Sequence, residues 1–297
     1  TMAQSDSVSE DIILMNDRIQ LPGTLRYNKT LKQQPLAIFI HGSGNVDRNG
    51  NQGQASQANY IKLLSDSLNK NGIAFYRYDK RTSNMANMKF LMLGISFDDF
   101  VKDAKIAIDN FKNDKRFSSI SLIGHSQGSL VGMLASTAGV DSYISLAGPS
   151  DAIDKKMTEQ IRKQNGDSIA GLVEAHFKEL KATNKIEKVD PNLMALFNPQ
   201  NQPFFTSWIK YNPIEEISKL TGIQILILNG TKDMQVFESD AEALHKANPE
   251  AQFKLIKNMN HVLKTITKEE DNLKSYTTAD FPLSSELVTV ISEFIKK

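Results

Sequence analysis

Six short apolar-rich runs recur along this chain, and no other feature restricts its fold as much. They are Leu36–Ile40, Ile73–Tyr78, Ile120–Ile123, Tyr143–Ala147, Ile223–Leu228 and Phe253–Ile256. Near-continuous apolar runs of this length suit strands buried on both faces. Helical periods fill the gaps between them. Tyr60, Leu63, Leu64 and Leu68 form one, closed by Asn71-Gly72, and Phe97, Phe100, Val101, Ala104, Ile108 and Phe111 form another. Further helices are expected over Ser126–Ala138, Ser239–Ala247 and Leu287–Ile295. Strands that alternate with helices imply an α/β domain, with a mostly parallel central sheet flanked by helices. Ahead of this alternation, residues 11–27 read as strands around the turn pairs Asn16-Asp17 and Pro22-Gly23. Residues 1–10 are expected to be a flexible N-terminal segment.

One stretch breaks the rhythm. Residues 149–221 lack a strong buried strand but carry helical periodicity (Ile161, Ile169, Leu172, Val173, His176, Phe177, Leu180), then Pro191, Pro199, Pro203 and Pro213. A structureless loop of that length is uncommon in a compact domain, so a helical insertion is expected within a single domain spanning 1–297. It holds the only tryptophan, Trp208, beside Phe204 and Phe205. These aromatics read either as packing inside the insertion or as the apolar wall of a substrate pocket.

Charge and composition exclude several functions. Against 35 Lys+Arg stand 34 Asp+Glu in 297 residues, and no block of five like charges occurs. Neither a nucleic-acid partner nor an acidic membrane surface is therefore expected. The absence of cysteine rules out disulfides, cysteine-ligated zinc and a thiol nucleophile together. No apolar run approaches the roughly 18–20 residues of a membrane span. The start, Thr1-Met2-Ala3, has two readings: the end of a removed secretory signal, with Gln4 opening the mature chain, or a cloning remnant before a native start. Periplasmic or secreted and cytoplasmic locations both stay open.

The chemistry centres on Gly124-His125-Ser126-Gln127-Gly128, a G-x-S-x-G pattern between an expected strand and an expected helix. Such a turn holds a serine hydroxyl exposed at the sheet's edge, and its glycines relieve crowding of the backbone. The competing reading is a glycine-rich helix start with a capping serine. A serine nucleophile needs a base. Of five histidines, His41 sits in the loop after an early strand and His125 inside the turn. His176 lies on the insertion, and His245 on a helix whose apolar side is Ala241 and Leu244. His261, in the loop after Phe253–Ile256, lies where α/β active sites assemble and is the expected base. Asp233, in Gly230-Thr231-Lys232-Asp233 after Ile223–Leu228, is the expected acid, ahead of Asp151 and Asp154. The oxyanion donors are expected to be the amide of Gln127 and that of Ser43, with Gly44 second, in His41-Gly42-Ser43-Gly44. No metal or organic cofactor is implied.

On these motifs the chain resembles the α/β-hydrolase superfamily across roughly residues 10–297. Within it, the chain is similar to bacterial carboxylic-ester hydrolases related to dienelactone hydrolases and serine aminopeptidase-like proteins. The segments that carry the resemblance are His41–Asn51, Tyr76–Arg81, Ser96–Ala104, G-H-S-Q-G and G-T-K-D. The resemblance implies an α/β-hydrolase fold in which 149–221 is a cap. It also implies that His41–Asn51 supplies the oxyanion loop, supported by Asp47-Arg48 and Asp79-Lys80-Arg81. Where the family usually has glycine after the arginine of D-K-R, this chain has Thr82-Ser83, then Met85, Met88 and Met92. That loop is expected to line the pocket with adaptable thioethers.

The leading expectation is a serine hydrolase that cleaves a small carboxylic ester through an acyl-enzyme. The same residues suit an aminopeptidase or a thioesterase. A peptidase often reads a free amine with acidic residues near its cap, yet 151–220 holds ten acidic and ten basic residues, a net charge of zero. A non-catalytic binding protein on the same fold is the remaining alternative. Oligomeric state is not readable from the sequence.

Overall fold

The computed structural model describes residues 6–297. Its strands are β1 (Ser7–Asn16), β2 (Ile19–Asn28), β3 (Gln34–Ile40), β4 (Ala74–Tyr78), β5 (Phe117–His125), β6 (Ser142–Leu146), β7 (Gln224–Gly230) and β8 (Gln252–Ile256). They form one sheet in the order β1-β2-β4-β3-β5-β6-β7-β8. The β1–β2 and β2–β4 pairs are antiparallel, and every other pair is parallel. The helices outside the insertion are α1 (Tyr60–Lys70), α2 (Met88–Leu91), α3 (Phe97–Phe111) and α4 (Gln127–Ala135) before it. Within residues 149–221 lie α5 (Ile153–Asn165), α6 (Asp167–Thr183), α7 (Met194–Phe197), α8 (Gln202–Trp208) and α9 (Pro213–Ser218). After it come α10 (Glu238–Ala247), α11 (Asp271–Lys274) and α12 (Ser285–Ile295).

The inner parallel strands are buried on both faces, as their apolar runs require, whereas β8 at the sheet's edge is only partly covered, with Lys254 exposed. Successive side chains alternate between two cores. Leu36, Ile38 and Ile40 join α3, α4 and α10 on one face, while Ala37 and Phe39 join α1 and α12 on the other. Ile225 and Ile227 against Leu226 and Leu228 repeat the alternation in β7. Helix α3 spans the residues its periodicity predicts. Ser96 caps it, accepting from the Asp98 amide at 3.2 Å, and Asp99 reaches back to the Ser96 amide at 2.9 Å in a capping box.

The insertion forms a core of its own around Val173, Phe177, Leu180, Leu193, Phe197 and Phe205. It is fastened to the N-terminal end of α3. Trp208 stacks on Phe97 with centroids 5.2 Å apart, and the Ser207 hydroxyl accepts the Phe97 amide at 2.7 Å. Asp98 accepts from the Lys210 ammonium and the Tyr211 hydroxyl. Helix α9, the last part of the stretch, packs through Ile217 into the main core instead.

Two expectations at the N-terminus are corrected. Residues 7–10, expected to be flexible, belong to β1, with Ser7 opposite Asn28 and Glu10 opposite Leu25. The segment is too polar to show as a strand alone; its order comes from β2 and from the Glu10–Arg116 ion pair at 3.0 Å. Thr1–Ala3, on which the choice between signal and remnant turns, lie outside the described residues.

The second correction concerns Pro22-Gly23, which is no turn. The chain reverses at Asn16–Ile19, with Asp17 at φ 52°, and Pro22-Gly23 lies inside β2. The Pro22 carbonyl accepts the Asp79 amide at 2.7 Å. Gly23 is required because the Tyr76 ring crosses its α-carbon, and a Cβ there would fall 2.7 Å from Cζ of that ring. Gly23→Ala is therefore expected to lower stability by about 1–3 kcal/mol as an overpacked core does. An unchanged urea midpoint would show that the ring moves aside freely.

Candidate active site

The sheet's strand order reverses direction between β3 and β5, and in open α/β sheets such a switch point is where ligands bind. The loops after β3, β5, β7 and β8 bring together most of the residues expected from the sequence. Ser126 sits between β5 and α4 with φ 55° and ψ −122°, a conformation that non-glycine residues enter only when the surroundings hold them. Two contacts do the holding. The Ser126 amide donates to the Leu146 carbonyl at 3.0 Å, and the Ser126 carbonyl accepts from the Ser129 amide at 2.9 Å. Gly128 lies so close to the Ile40 and His41 carbonyls that any Cβ would collide with them. Gly124 meets the backbone of Gly128 and Ser129 in the same way. Those glycines let α4 start directly beneath the end of β3, and Ser126 remains partly exposed.

His261 and Asp233 meet. His261 Nδ1 lies 2.8 Å from Asp233 Oδ2, with both side chains almost wholly buried. The other carboxylate oxygen accepts the amides of Gln235 at 2.8 Å and Val236 at 3.0 Å. Burial by itself would raise the Asp233 pKa. The facing imidazole and the two amides outweigh burial, so the group sits below the ordinary carboxylate value. An ionised carboxylate only accepts hydrogen bonds, so Nδ1 carries a proton, and in the neutral ring the free lone pair is then that of Nε2. The two loops are also joined through backbone, since the Lys232 amide donates to Met259 O at 2.9 Å. Asn260 braces the histidine loop from below, bonding to Asn272 and Ser275 at 3.0 and 2.7 Å.

The other histidines have different duties. His125 Nε2 donates to the His261 carbonyl at 2.8 Å, so the residue before Ser126 holds the backbone of the histidine on the facing loop. The rings of His125 and His261 stand 4.8 Å apart. His41 Nε2 donates to the Tyr78 carbonyl. His176 accepts the Asp190 amide at 3.0 Å inside the insertion, and His245 stacks on Phe253. The other acid candidates are engaged elsewhere, Asp151 with Lys155 and Asp154 with Lys181.

Gly42 packs against Ser126, a Cβ at Gly42 falling 3.1 Å from Ser126 Cβ. Among the described residues, the amides of Ser43, Gly44 and Gln127 have no hydrogen-bond acceptor. The Gln127 amide is also at the positive end of α4. Around this loop the charged residues form a frame. Arg48 grips Asp79 through Nε and Nη2 at 3.1 and 2.9 Å, and its own amide donates to the same carboxylate. Asp47 accepts the amides of Asn49 and Asn51. Arg81 makes a buried bidentate pair with Asp103, both bonds 2.7 Å. Lys80, between them in the chain, bonds instead to the Gly42 carbonyl and the Gln127 side chain, contacts that a run of three charged residues does not announce.

The expected pocket residues divide. A cavity of about 380 Å³ lies beside the loop at Asn45, walled by Thr82, Met88, Leu91, Met92 and Phe204. Met88 and Phe204 thus line it as expected. Met85 is 80% exposed and does not. Phe205 lies in the insertion's core and Trp208 against Phe97, which is packing rather than pocket wall. Phe205 is buried among Phe177 and Phe197, and Trp208 is half-buried, held by its stacking on Phe97. Thr82 replaces the glycine of related D-K-R-G segments; its φ is not positive, and its buried hydroxyl is unpaired at the cavity.

Comparison with known proteins bears on this arrangement. The serine aminopeptidase S33 family matches residues 51–193, just under half of the chain. Among solved structures, ferulic-acid-bound Est1E of Butyrivibrio proteoclasticus is 19% identical, covers 96% of this chain and 100% of its own, and superposes with a TM-score of 0.62. The Pyrococcus furiosus esterase Pf2001 is 16% identical over 97% of this chain and 91% of its own, with a TM-score of 0.62. The chain has the α/β-hydrolase fold. A Bacillus anthracis bromoperoxidase shares it at 14% identity, covering 97% of this α/β-hydrolase-fold chain and all of its own, with a TM-score of 0.56. No curated protein matches the sequence.

Burial lowers the His41 pKa to about 4 and that of His125 to about 3, helped by Lys80 and His261 respectively. Both values lie below the ordinary 6.5, so the unfolded chain binds more protons as pH falls. Their contribution to stability is complete above pH 6.5 and is lost as pH falls through about 4 and about 3. Nitrogen-edited NMR is expected to show both imidazoles neutral at roughly pH 5.5, with the urea midpoint already falling progressively below about pH 6.5. A His125 titrating near 6.5 would contradict its burial.

Proposed function

We propose that this chain is a serine hydrolase that cleaves carboxylic esters through an acyl-enzyme, with Ser126, His261 and Asp233 as its catalytic residues. The buried 2.8 Å Asp233–His261 pair, tied through His125 to the strained turn that holds Ser126, carries this reading. The His261 Nε2 lone pair takes the Ser126 proton as Oγ attacks the ester carbonyl. The carbonyl oxygen becomes an oxyanion and is received by the amides of Gln127 and Ser43, with Gly44 as the second loop donor. The imidazolium, stabilised by Asp233, returns the proton to the leaving alkoxide. Water then repeats the sequence on the acyl-serine, and the acid leaves. The two histidines buried neutral, His41 and His125, keep their places as loop supports throughout.

The cavity beside Asn45 is the proposed site for the substrate's apolar group, and residues 149–212 act as the cap above it. Est1E is described with ferulic acid bound and Pf2001 as an esterase, which agrees with an ester substrate. The matching family is named for aminopeptidases, so cleavage of a peptide bond is the second reading. The residues that wall the cavity are all uncharged, leaving no carboxylate there to receive a free amine, and this favours the ester.

Four measurements test the proposal. Ser126→Ala is expected to abolish hydrolysis of p-nitrophenyl butyrate and labelling by a fluorophosphonate probe; full activity in that variant would overturn it. Asp233→Asn is expected to lower kcat about 10⁴-fold with the fold intact, since Nδ1 would lose its carboxylate partner. Met88→Trp, which fills the cavity, is expected to lower kcat/KM about tenfold for octanoate relative to acetate esters. Equal effects on both esters would place the acyl group elsewhere. Aminoacyl p-nitroanilides cleaved faster than the esters would favour the peptidase reading.

A further inference from the structure

Lys80 is a buried cation without a counter-anion. It is 4% exposed, and among the described residues it takes part in no ion pair. The nearby carboxylates are already taken, Asp79 by Arg48 and Asp103 by Arg81. Its ammonium donates instead to two neutral acceptors, the Gly42 carbonyl at 2.6 Å and Gln127 Oε1 at 2.7 Å, and lies 4.4 Å from the centre of the Phe100 ring. Burial brings its pKa down to about 7, which lessens the penalty of placing it there. A methionine or leucine would fill the space without that penalty, so packing alone does not explain a lysine.

The two acceptors explain it. The Gly42 carbonyl and the Ser43 amide belong to one planar peptide unit, in which C=O and N–H point in opposite directions. A donor that fixes the Gly42 oxygen therefore aims the Ser43 N–H the other way. Gln127 carries the second proposed oxyanion donor on its own backbone, and Lys80 grips its side chain. One ammonium thus ties together the two segments that must present N–H groups to the same oxygen. We infer that Lys80 is a positioning residue for the oxyanion hole, which sets the Ser43 peptide and Gln127 in mutual register through its bonds to Gly42 O and Gln127 Oε1. This rests on the serine-hydrolase reading and adds to it the residue that assembles the hole. Lys80 touches no substrate. Its bonds are made before catalysis, so its contribution is preorganisation.

The test compares Lys80→Met, Lys80→Gln, Gln127→Met and Lys80→Met/Gln127→Met with the wild-type chain, using p-nitrophenyl butyrate and a fluorophosphonate. Active enzyme is counted by titration, and folding is followed by circular dichroism and thermal midpoint. Lys80→Met is expected to lower kcat about 10²- to 10³-fold, as loss of one oxyanion donor does, with KM changed less than about threefold. Its rate of inactivation by the fluorophosphonate, whose phosphoryl oxygen occupies the same hole, should fall in parallel. Lys80→Gln, which still donates N–H, should recover part of kcat; it also serves as the variant for measurement if Lys80→Met does not fold. The double variant should be no slower than Lys80→Met, because the bond that Gln127→Met removes is already lost when Lys80 is replaced. Wild-type kcat per folded molecule in both Lys80 variants, or additive losses in the double variant, would overturn the positioning role while leaving the esterase reading intact. A wild-type chain that neither turns over esters nor labels at Ser126 would remove the esterase reading, and this inference with it.

Discussion

The approach of α4 to the end of β3 is the contact on which the site depends. Gly128 presses its backbone onto the Ile40 and His41 carbonyls, at a distance that no side chain permits. The elbow and the loop after β3 are therefore neighbours, and Ser126 faces Gly42. Ser126 is held at a positive φ by its bonds to β6 and to Ser129. Two cores cover the sheet around this turn, with α3 and α4 on one side and α1 and α12 on the other. The strain is local and the support is global, the usual arrangement at a reactive turn.

Around that contact the polar groups are arranged in tiers. Asp233 orients His261, His125 holds the carbonyl of His261, and Asn260 supports the loop beneath. On the other flank Arg48–Asp79 and Arg81–Asp103 clamp the loops after β3 and β4. Each clamp satisfies its charges internally, so the Lys80 ammonium between them is left with neutral acceptors.

Much of this was legible beforehand, and the legible parts share a cause. The apolar runs Leu36–Ile40 and Ile223–Leu228 announced buried parallel strands because strands covered on both faces must be apolar throughout. The exact span of α3 followed from its period and its Ser96–Asp99 box. Ser126, Asp233 and His261 were picked out because each directly follows a strand, and parallel strands deliver their C-terminal loops to one edge. The elements that were misread depend on partners distant in sequence. Pro22-Gly23 looked like a turn, but Gly23 answers to the Tyr76 ring. Residues 7–10 looked unstructured, but β2 pairs with them. Trp208 and Phe205 looked equal to Phe204 as pocket candidates, and only packing separates them.

The sequence by itself therefore determined the α/β alternation, the place of the insertion and the residues at the strand ends, because hydrophobic period and turn chemistry act over a few residues. Tertiary structure alone decided which aromatics line the cavity and what a lysine between two paired charges does. Asp79, Lys80 and Arg81 are consecutive, yet their partners are Arg48, the Gly42–Gln127 pair and Asp103. Partner choice for a charged side chain is settled by burial and by what the chain brings within 3 Å, and neither is written in its neighbours.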